Sequence, residues 1–479
     1  MENNIFAGSF EDRIRAVNKL LNMDMTFDIL QREVTVGGRK AVLVSIDSLL
    51  NSELSQKIVE YFYSIAPENM PQDYDTFANN NIPFVDVSKV EDEDKFIGYI
   101  MSGMTCVIID GYREIAVLDL RKYPARDVSE PDKDKVLRGS RDGFVESFMQ
   151  NIGLIRRRIR DVNLIFETQK VGRSSKTDIA ISYMNGRCDR KVIDYLKKKI
   201  SDIDVDSLTM NQESFAEAVF PRNWINPFPK FKYTERADTA AACILEGSVV
   251  ILIDNSSSAM IVPTSLFDII EDANDYYFPP ITGTYLRMVR MLTSIVALFI
   301  TPVFLFLLQR PDLVPEQLEF ILIHDEINVH PLIQFLILEL VVDGLKMASV
   351  NTPSMLSTPL SVVAAIIFGD YTVSSGWFNS QIMLYMAFVA VANYTQSNME
   401  LGYAIKFMRI ILLILTNFFG GIGLAIGTIF IMVSIAFNKI FVGRSYLYPL
   451  VPFDGVQLLK RFFRISIISN EKLSNNKDK

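Results

Sequence analysis

MLTSIVALFITPVFLFLLQ (Met291–Gln309) and IILLILTNFFGGIGLAIGTIFIMVSIAFN (Ile410–Asn438) contain no Asp, Glu, Lys or Arg. An uncharged apolar run of about 18 residues or more is long enough, at ~1.5 Å per residue, to carry a helix across the hydrocarbon of a bilayer. About 280 residues of soluble-looking chain precede the first run. The expected molecule is therefore an integral membrane protein with a large polar domain on its N-terminal side. That shape favours transport, conduction or signalling over metabolic catalysis.

Just before the first run, YYFPPITGTYLRMVR (Tyr276–Arg290) reads as an interfacial anchor, with aromatics and two arginines on the cytoplasmic side. The first span is expected over 291–309. The loop after it carries Asp312, Glu316, Glu319, Asp325 and Glu326 against Arg310, as an outer loop should under the positive-inside rule. Pro331–Met347 is apolar but charged in places, Ser354–Phe368 is shorter, and Trp377–Gln396 and Ile410–Asn438 read as ordinary spans. Both ends of 410–438 carry Lys or Arg, so the side of the C-terminus stays open. LLKRFFR (Leu458–Arg464) reads as a basic amphipathic segment lying on membrane lipid, and 470–479 as a disordered polar tail.

The N-terminal part alternates short strands and helices. Ile14, Val17, Leu20 and Leu21 give the first 24 residues a helical apolar face. Ala41–Asp47, Thr105–Asp110 and Glu114–Leu120 are β-branched runs bounded by turn residues. Asp110-Gly111 marks a hairpin, because a tight turn needs positive φ and glycine supplies it. A helix is expected over Gly143–Arg160, strands over Asn163–Lys170 and Asp178–Tyr183, and a helix over Asp189–Ile200. The predicted fold class is an α+β or α/β N-terminal domain of two lobes, cytosolic, followed by an all-α polytopic membrane domain. Its divisions are an N-terminal helix (1–30), lobe one (31–205), lobe two (206–285), the helical membrane domain (286–455), and the amphipathic segment with its tail (456–479).

Composition narrows the function. A net charge of −8 argues against a nucleic-acid partner, which needs a concentrated basic surface. Three cysteines, far apart, fit a reducing compartment with neither a disulfide framework nor a zinc cluster. MENNIFAGSFEDRIRAVNKLLNMD has interspersed charges and no apolar core, so it does not read as a signal peptide. Both histidines, His324 and His330, lie in the acidic loop. Gly172-Arg-Ser-Ser-Lys176-Thr177 lacks the glycine that precedes the lysine of a phosphate loop. No catalytic set, cofactor or metal site is expected, and the chain reads as a non-enzyme.

Charges inside apolar segments are the candidate site. Glu339, Asp343 and Lys346 fall at i, i+4 and i+7, on one helical face. A charge facing lipid costs several kcal/mol, so this face must look into a bundle or a watery cavity. It could be the acidic lining of an ion pathway, or a buried Asp343–Lys346 pair that locks the helices. Ser354, Ser357, Ser361 and Ala364 form a small, mildly polar stripe that suits either a pore wall or close packing. The break at Asn351-Thr352-Pro353 resembles a discontinuous membrane helix. Gly423-xxx-Gly427 marks helix contact. Arg156, Arg157, Arg158 and Arg160 form a basic stripe, either a solvated face, a partner of the helix dipole, or a docking surface for an acidic partner or anionic lipid.

Glu130-Pro131, Arg138-Gly139, Arg141-Asp142-Gly143-Phe144-Val145-Glu146, Asn151 and Leu154–Arg160 together resemble the signature of GerA-type spore germination receptor A subunits. YYFPPITGTYLR, ELGYAIKFMRI (Glu400–Ile410) and YLYPLVPF (Tyr446–Phe453) fit the same family. Asp343–Thr358 departs from the REAGIRLP-like stretch usual in receptor subunits and, with Leu384–Gln396, is more similar to the stage V sporulation protein AF branch. The resemblance implies a spore inner-membrane protein of the forespore that assembles as a homo-oligomer, a pentamer, around a cation channel. It also implies other germination membrane proteins and receptor subunits as partners, with Arg138, Arg141, Asp142 and Arg156–Arg160 as an assembly motif. Two alternatives stand beside it. One is a secondary transporter of ions or dipicolinate, which inverted repeats would support, and no clear repeat is visible. The other is a non-conducting scaffold for receptor complexes.

Overall fold

A computed structural model describes residues 4–84, 87–124, 142–220, 226–351, 371–438 and 445–464. The chain divides into two compact units. One comprises Met1–Arg222 with Phe231–Pro263, the other Asn223–Lys230 with Thr264–Lys479.

The first unit holds two antiparallel five-stranded sheets. Sheet one contains β1 (Ile29–Val36), β2 (Arg39–Ile46), β3 (Val87–Val90), β4 (Thr105–Ile109) and β5 (Ile115–Leu118), in the order β1-β2-β4-β5-β3. Helices α1 (Phe10–Leu20), α2 (Ser52–Ser64), α3 (Tyr74–Asn81) and α4 (Glu93–Met101) cover it. All five residues of β4 are buried, because Cys106 and Ile108 pack toward α1 and α4 while Val107 and Ile109 pack toward α2 and α3. A strand covered on both faces reads as an unbroken apolar run, and that made it legible. Gly111, at φ 89°, makes the β4–β5 turn where the sequence places it.

Sheet two repeats this plan. α5 (Phe148–Arg158), β6 (Leu164–Val171), β7 (Thr177–Met184), α6 (Arg190–Ser201), α7 (Gln212–Val219), β8 (Lys232–Thr234), α8 (Ala237–Leu245), β9 (Val249–Ile253) and β10 (Ala259–Val262) give the order β6-β7-β9-β10-β8. The helix and hairpin starting at residues 93, 105 and 115 recur at 237, 249 and 259, a constant shift of 144 positions. Even the tether of the last turn recurs. Arg13 of α1 donates to the Tyr112 and Arg113 carbonyls, and Asn151 of α5 donates to the Ser256 carbonyl, in the matching turn. The lobes therefore change between β5 and α5, whereas a division near 205 falls between α6 and α7 of the second repeat. Gly172–Thr177 is the β6–β7 hairpin turn, not the strand-to-helix turn that holds a phosphate.

The second unit is helical. Leu266–Ile270 (α9) and Asn274–Tyr277 (α10) lead into α11 (Pro280–Gln309), α12 (Pro331–Asn351), α13 (Ser380–Tyr394), α14 (Met399–Ala436) and α15 (Gly455–Phe462). Two of these, α11 and α14, are long and apolar enough to cross a membrane by length and composition. α11 starts eleven residues before the expected span at 291 (280 against 291) and takes in Arg287 and Arg290.

The expected single span over 410–438 is corrected. At Gly420, φ 57° and ψ −135° reverse the chain inside α14. The two halves pack against each other: a Cβ on Gly427 would lie 2.6 Å from the Leu412 side chain, and one on Gly423 would collide with the Leu415 carbonyl. In a straight helix residues 412 and 427 would be ~22 Å apart. The Gly423-xxx-Gly427 contact thus occurs within one helical hairpin. Its turn sits where α11 ends, since the Gln309 amide donates to the Asn417 carbonyl at 3.1 Å. Its second half returns to the end where α11 begins: Asn226 donates to the Ser434 carbonyl, and Phe228 packs on Tyr446. Residues 280 and 436 accordingly lie at the same end of the bundle, here termed proximal. Arg409, just before 410, is wholly buried and bonded to Glu339, so it does not mark a membrane edge.

Candidate functional site

α12 runs from the distal end back toward the proximal end and carries Glu339 and Asp343 one turn apart. The first half of α14 carries Lys406 and Arg409 at the facing level. Glu339 is 3% exposed and Arg409 wholly buried. Arg409 donates from Nε to Glu339 Oε1 at 2.6 Å and from Nη1 to the Ala297 carbonyl of α11 at 2.8 Å. Lys406 Nζ is paired with the Asp343 carboxylate, donates to the Glu339 carbonyl at 3.1 Å, and lies 3.8 Å from Glu339 Oε2. Two acids and two bases are therefore interleaved between three helices, with no net charge. Such a cluster offsets its own desolvation only while every member is present.

Lys346 does not pair with Asp343, the lock considered from sequence alone. It lies over the rings of Tyr394 and Tyr403, 5.3 and 5.6 Å from their centroids, an apolar platform that still favours a cation. The stripe Ser354, Ser357, Ser361 and Ala364, with Thr352-Pro353, lies outside the described residues. So do Arg138 and Arg141.

The arginine stripe separates into different roles. Arg156 is not on a solvated face. It is fully buried and grips Asp28 with Nε–Oδ2 and Nη2–Oδ1 at 2.9 Å each. It also donates to the Asp161 and Leu164 carbonyls and stacks over Phe166, while Thr26 donates to the same Asp28 carboxylate. This staple joins α5, the entry to β1 and the start of β6. Arg158 bonds the Leu154 carbonyl and meets Asp142 at 3.3 Å. Arg157, exposed, lies over Tyr123, and Arg160 is exposed.

The anchor arginines are also engaged. Arg287, 2% exposed, meets Glu271 at 2.6 Å and donates to the Lys460 and Arg461 carbonyls at the C-terminus of α15. Arg290 bonds Asp275 at 2.9 Å, and Arg461 bonds Asp268 at 2.6 Å and Glu271 at 3.0 Å. The basic segment read as lying on lipid therefore spends Arg461 on carboxylates of its own chain. Among the described residues no group of His, Cys, Asp and Glu could hold a metal ion.

Sequence reasoning missed Lys406 and Arg409 as members of the site, although ELGYAIKFMRI contains both. Their spacing of three places them on one helical face within an apolar run, the same signal that singled out Glu339 and Asp343. The profile of the family described as Bacillus/Clostridium GerA spore germination protein matches residues 16–475. The chain belongs to the GerA family. It is 35% identical to the Bacillus subtilis stage V sporulation protein AF over 91% of this chain and 89% of that protein. Against the Bacillus subtilis spore germination protein KA the identity is 26%, over 93% and 82% of the respective chains. Among solved structures, the N-terminal domain of the A subunit of the Bacillus megaterium spore germinant receptor GerK3 is 22% identical, at a TM-score of 0.40. That match covers 55% of this chain and 98% of the other.

Proposed function

We propose that this GerA-family chain is a spore inner-membrane component of the germination machinery that assembles with copies of itself into a cation channel. It would act with receptor subunits and other germination membrane proteins. The observation that carries the reading is the buried Glu339–Arg409 and Asp343–Lys406 cluster among apolar helices. Charges in such surroundings are costly, and they mark ion pathways and their gates. The outward faces support a membrane setting: Ile295, Leu340, Phe418 and Ile422 are 57–72% exposed, a surface that lipid or neighbouring subunits would cover. In this reading Ser354, Ser357, Ser361 and Ala364 line the pathway, and Glu339 and Asp343 offer it acidic charge only when their pairs with Arg409 and Lys406 open. Exposed Arg157 and Arg160 serve assembly.

Reconstitution tests it. Purified full-length protein in planar bilayers under a potassium chloride gradient should pass a cation-selective current, from particles that run as a ring-sized oligomer in detergent. A monomer that carries solute only with a coupled ion gradient would instead identify a transporter. An assembled oligomer without current would leave a scaffold.

A further inference from the structure

The basic segment LLKRFFR is turned the opposite way from its expected lie on lipid. It contains three cations, Lys460, Arg461 and Arg464. Arg461 is bonded to Asp268 and Glu271, and the Arg464 guanidinium donates to the Tyr276 carbonyl at 2.5 Å. Phe462 packs toward the protein as well, its ring centroid 6.0 Å from that of Phe267 in α9. Both arginines are therefore directed at their own chain, and Lys460 alone remains for an anionic surface. The other face is apolar and open. Val456, Leu459 and Phe463 recur at i, i+3 and i+7, one side of a helix. With Leu450, Val451 and Phe453 just before them, they are 38–74% exposed. A contiguous apolar patch of this kind marks a contact with a membrane or another chain.

The level of the patch selects its partner. The Arg464 amide donates to Thr284 Oγ1, and Arg287 donates to the Lys460 and Arg461 carbonyls, each at 3.0 Å. Thr284 and Arg287 precede Met291, where the uncharged run begins, by seven and four residues. At the rise of an α-helix, α15 is thus held about 6–10 Å short of that run. This is the headgroup zone, where an amphipathic helix lies with its apolar side at the acyl boundary. Beside the contact α11 exposes Tyr285, Met288 and Leu292, so apolar surface continues from α15 into the first span. We propose that the Val456, Leu459 and Phe463 face of α15 is a lipid-binding surface, seated in the bilayer interface by burial of hydrocarbon, and that it moors the first turns of α11 there. Its partner is the boundary between headgroups and acyl chains, with no need of anionic lipid, because the arginines that would bind anions are spent inside the chain. The inference rests on the membrane setting of the proposed function and does not depend on conduction.

Tryptophan fluorescence of the full-length protein in phospholipid vesicles tests it. The parent, Leu459→Trp and Ile295→Trp are compared in ordinary phosphatidylcholine and in phosphatidylcholine brominated near the top of its acyl chains. The fluorescence that Leu459→Trp adds to the parent signal should be lost to the brominated lipid, and to the same extent when phosphatidylglycerol is included. Ile295→Trp, on the outward face of the first span, should be quenched too and reports whether the span itself meets lipid. Quenching at 295 without quenching at 459 would overturn the proposal, leaving water or another protein chain on α15. Quenching at 459 that requires phosphatidylglycerol would also overturn it, in favour of a basic anchor. Absence of quenching at both positions would remove the membrane setting and the proposal together.

Discussion

Buried arginines set the behaviour of individual residues in both units. Arg156 and Arg409 each satisfy a carboxylate and one or more backbone carbonyls, a task suited to a planar guanidinium with five donors. Glu339→Gln should leave Arg409 buried beside a neutral amide, at a cost of about 3–5 kcal/mol. Arg409→Gln should cost a similar amount by stranding Glu339. The double variant should recover much of the loss, because neither charge is then left alone. Urea titrations of the detergent-solubilised protein measure this cycle; strictly additive losses would show that the pair is not coupled. It follows that selectivity measurements on single neutralisations must be accompanied by a check of assembly. The glutamate was legible as a charge in an apolar run, but its partner, 70 positions away, was not, since nothing in local spacing says which helices meet.

Among the elements, the α14 hairpin departs most from its sequence pattern. Uniform hydrophobicity over 410–438 gives no internal boundary, and a glycine pair in a membrane segment reads equally as a packing motif. The reversal depends on Gly420, whose positive φ and strongly negative ψ are closed to a residue with a Cβ. It depends also on Gly423, where a side chain would meet the Leu415 carbonyl. A Leu412→Cys, Gly427→Cys pair should therefore crosslink readily with a short thiol reagent in membranes. Absence of the crosslink while both thiols remain reactive would restore a single straight span. The five strands read from the sequence, by contrast, lie within two residues of their expected limits, because burial on both faces and glycine turns are local signals, whereas β1, β3, β8, β9 and β10 were not read.

For the molecule as a whole, the return of residue 436 to the proximal end has a topological consequence. Ala436 lies at the end of the helical unit where α11 begins, and Arg287 of α11 bonds the Lys460 and Arg461 carbonyls, so α15 belongs on that side too. In the orientation expected from the sequence, which keeps the polar N-terminal unit in the cytosol, a cysteine at Glu68 and one at Gln457 should both resist an impermeant reagent applied to intact protoplasts. One at Phe320, 71% exposed in the acidic loop, should label. Labelling at Gln457 together with Phe320 would contradict the hairpin topology, and labelling at Glu68 would invert the whole arrangement.

Sequence alone determined the class of this protein: a polar α and β portion followed by apolar helices, with charges in the helices that need partners. Those properties depend on composition and near-neighbour spacing, which the chain carries locally. Tertiary structure decided what spacing cannot encode. It placed the lobe boundary between β5 and α5, because repeats 144 positions apart share burial pattern and turn geometry more than residue identity. It also paired Glu339 with Arg409 and Asp343 with Lys406, and it turned one apolar run into two helices, since both outcomes depend on which distant surfaces bury each other.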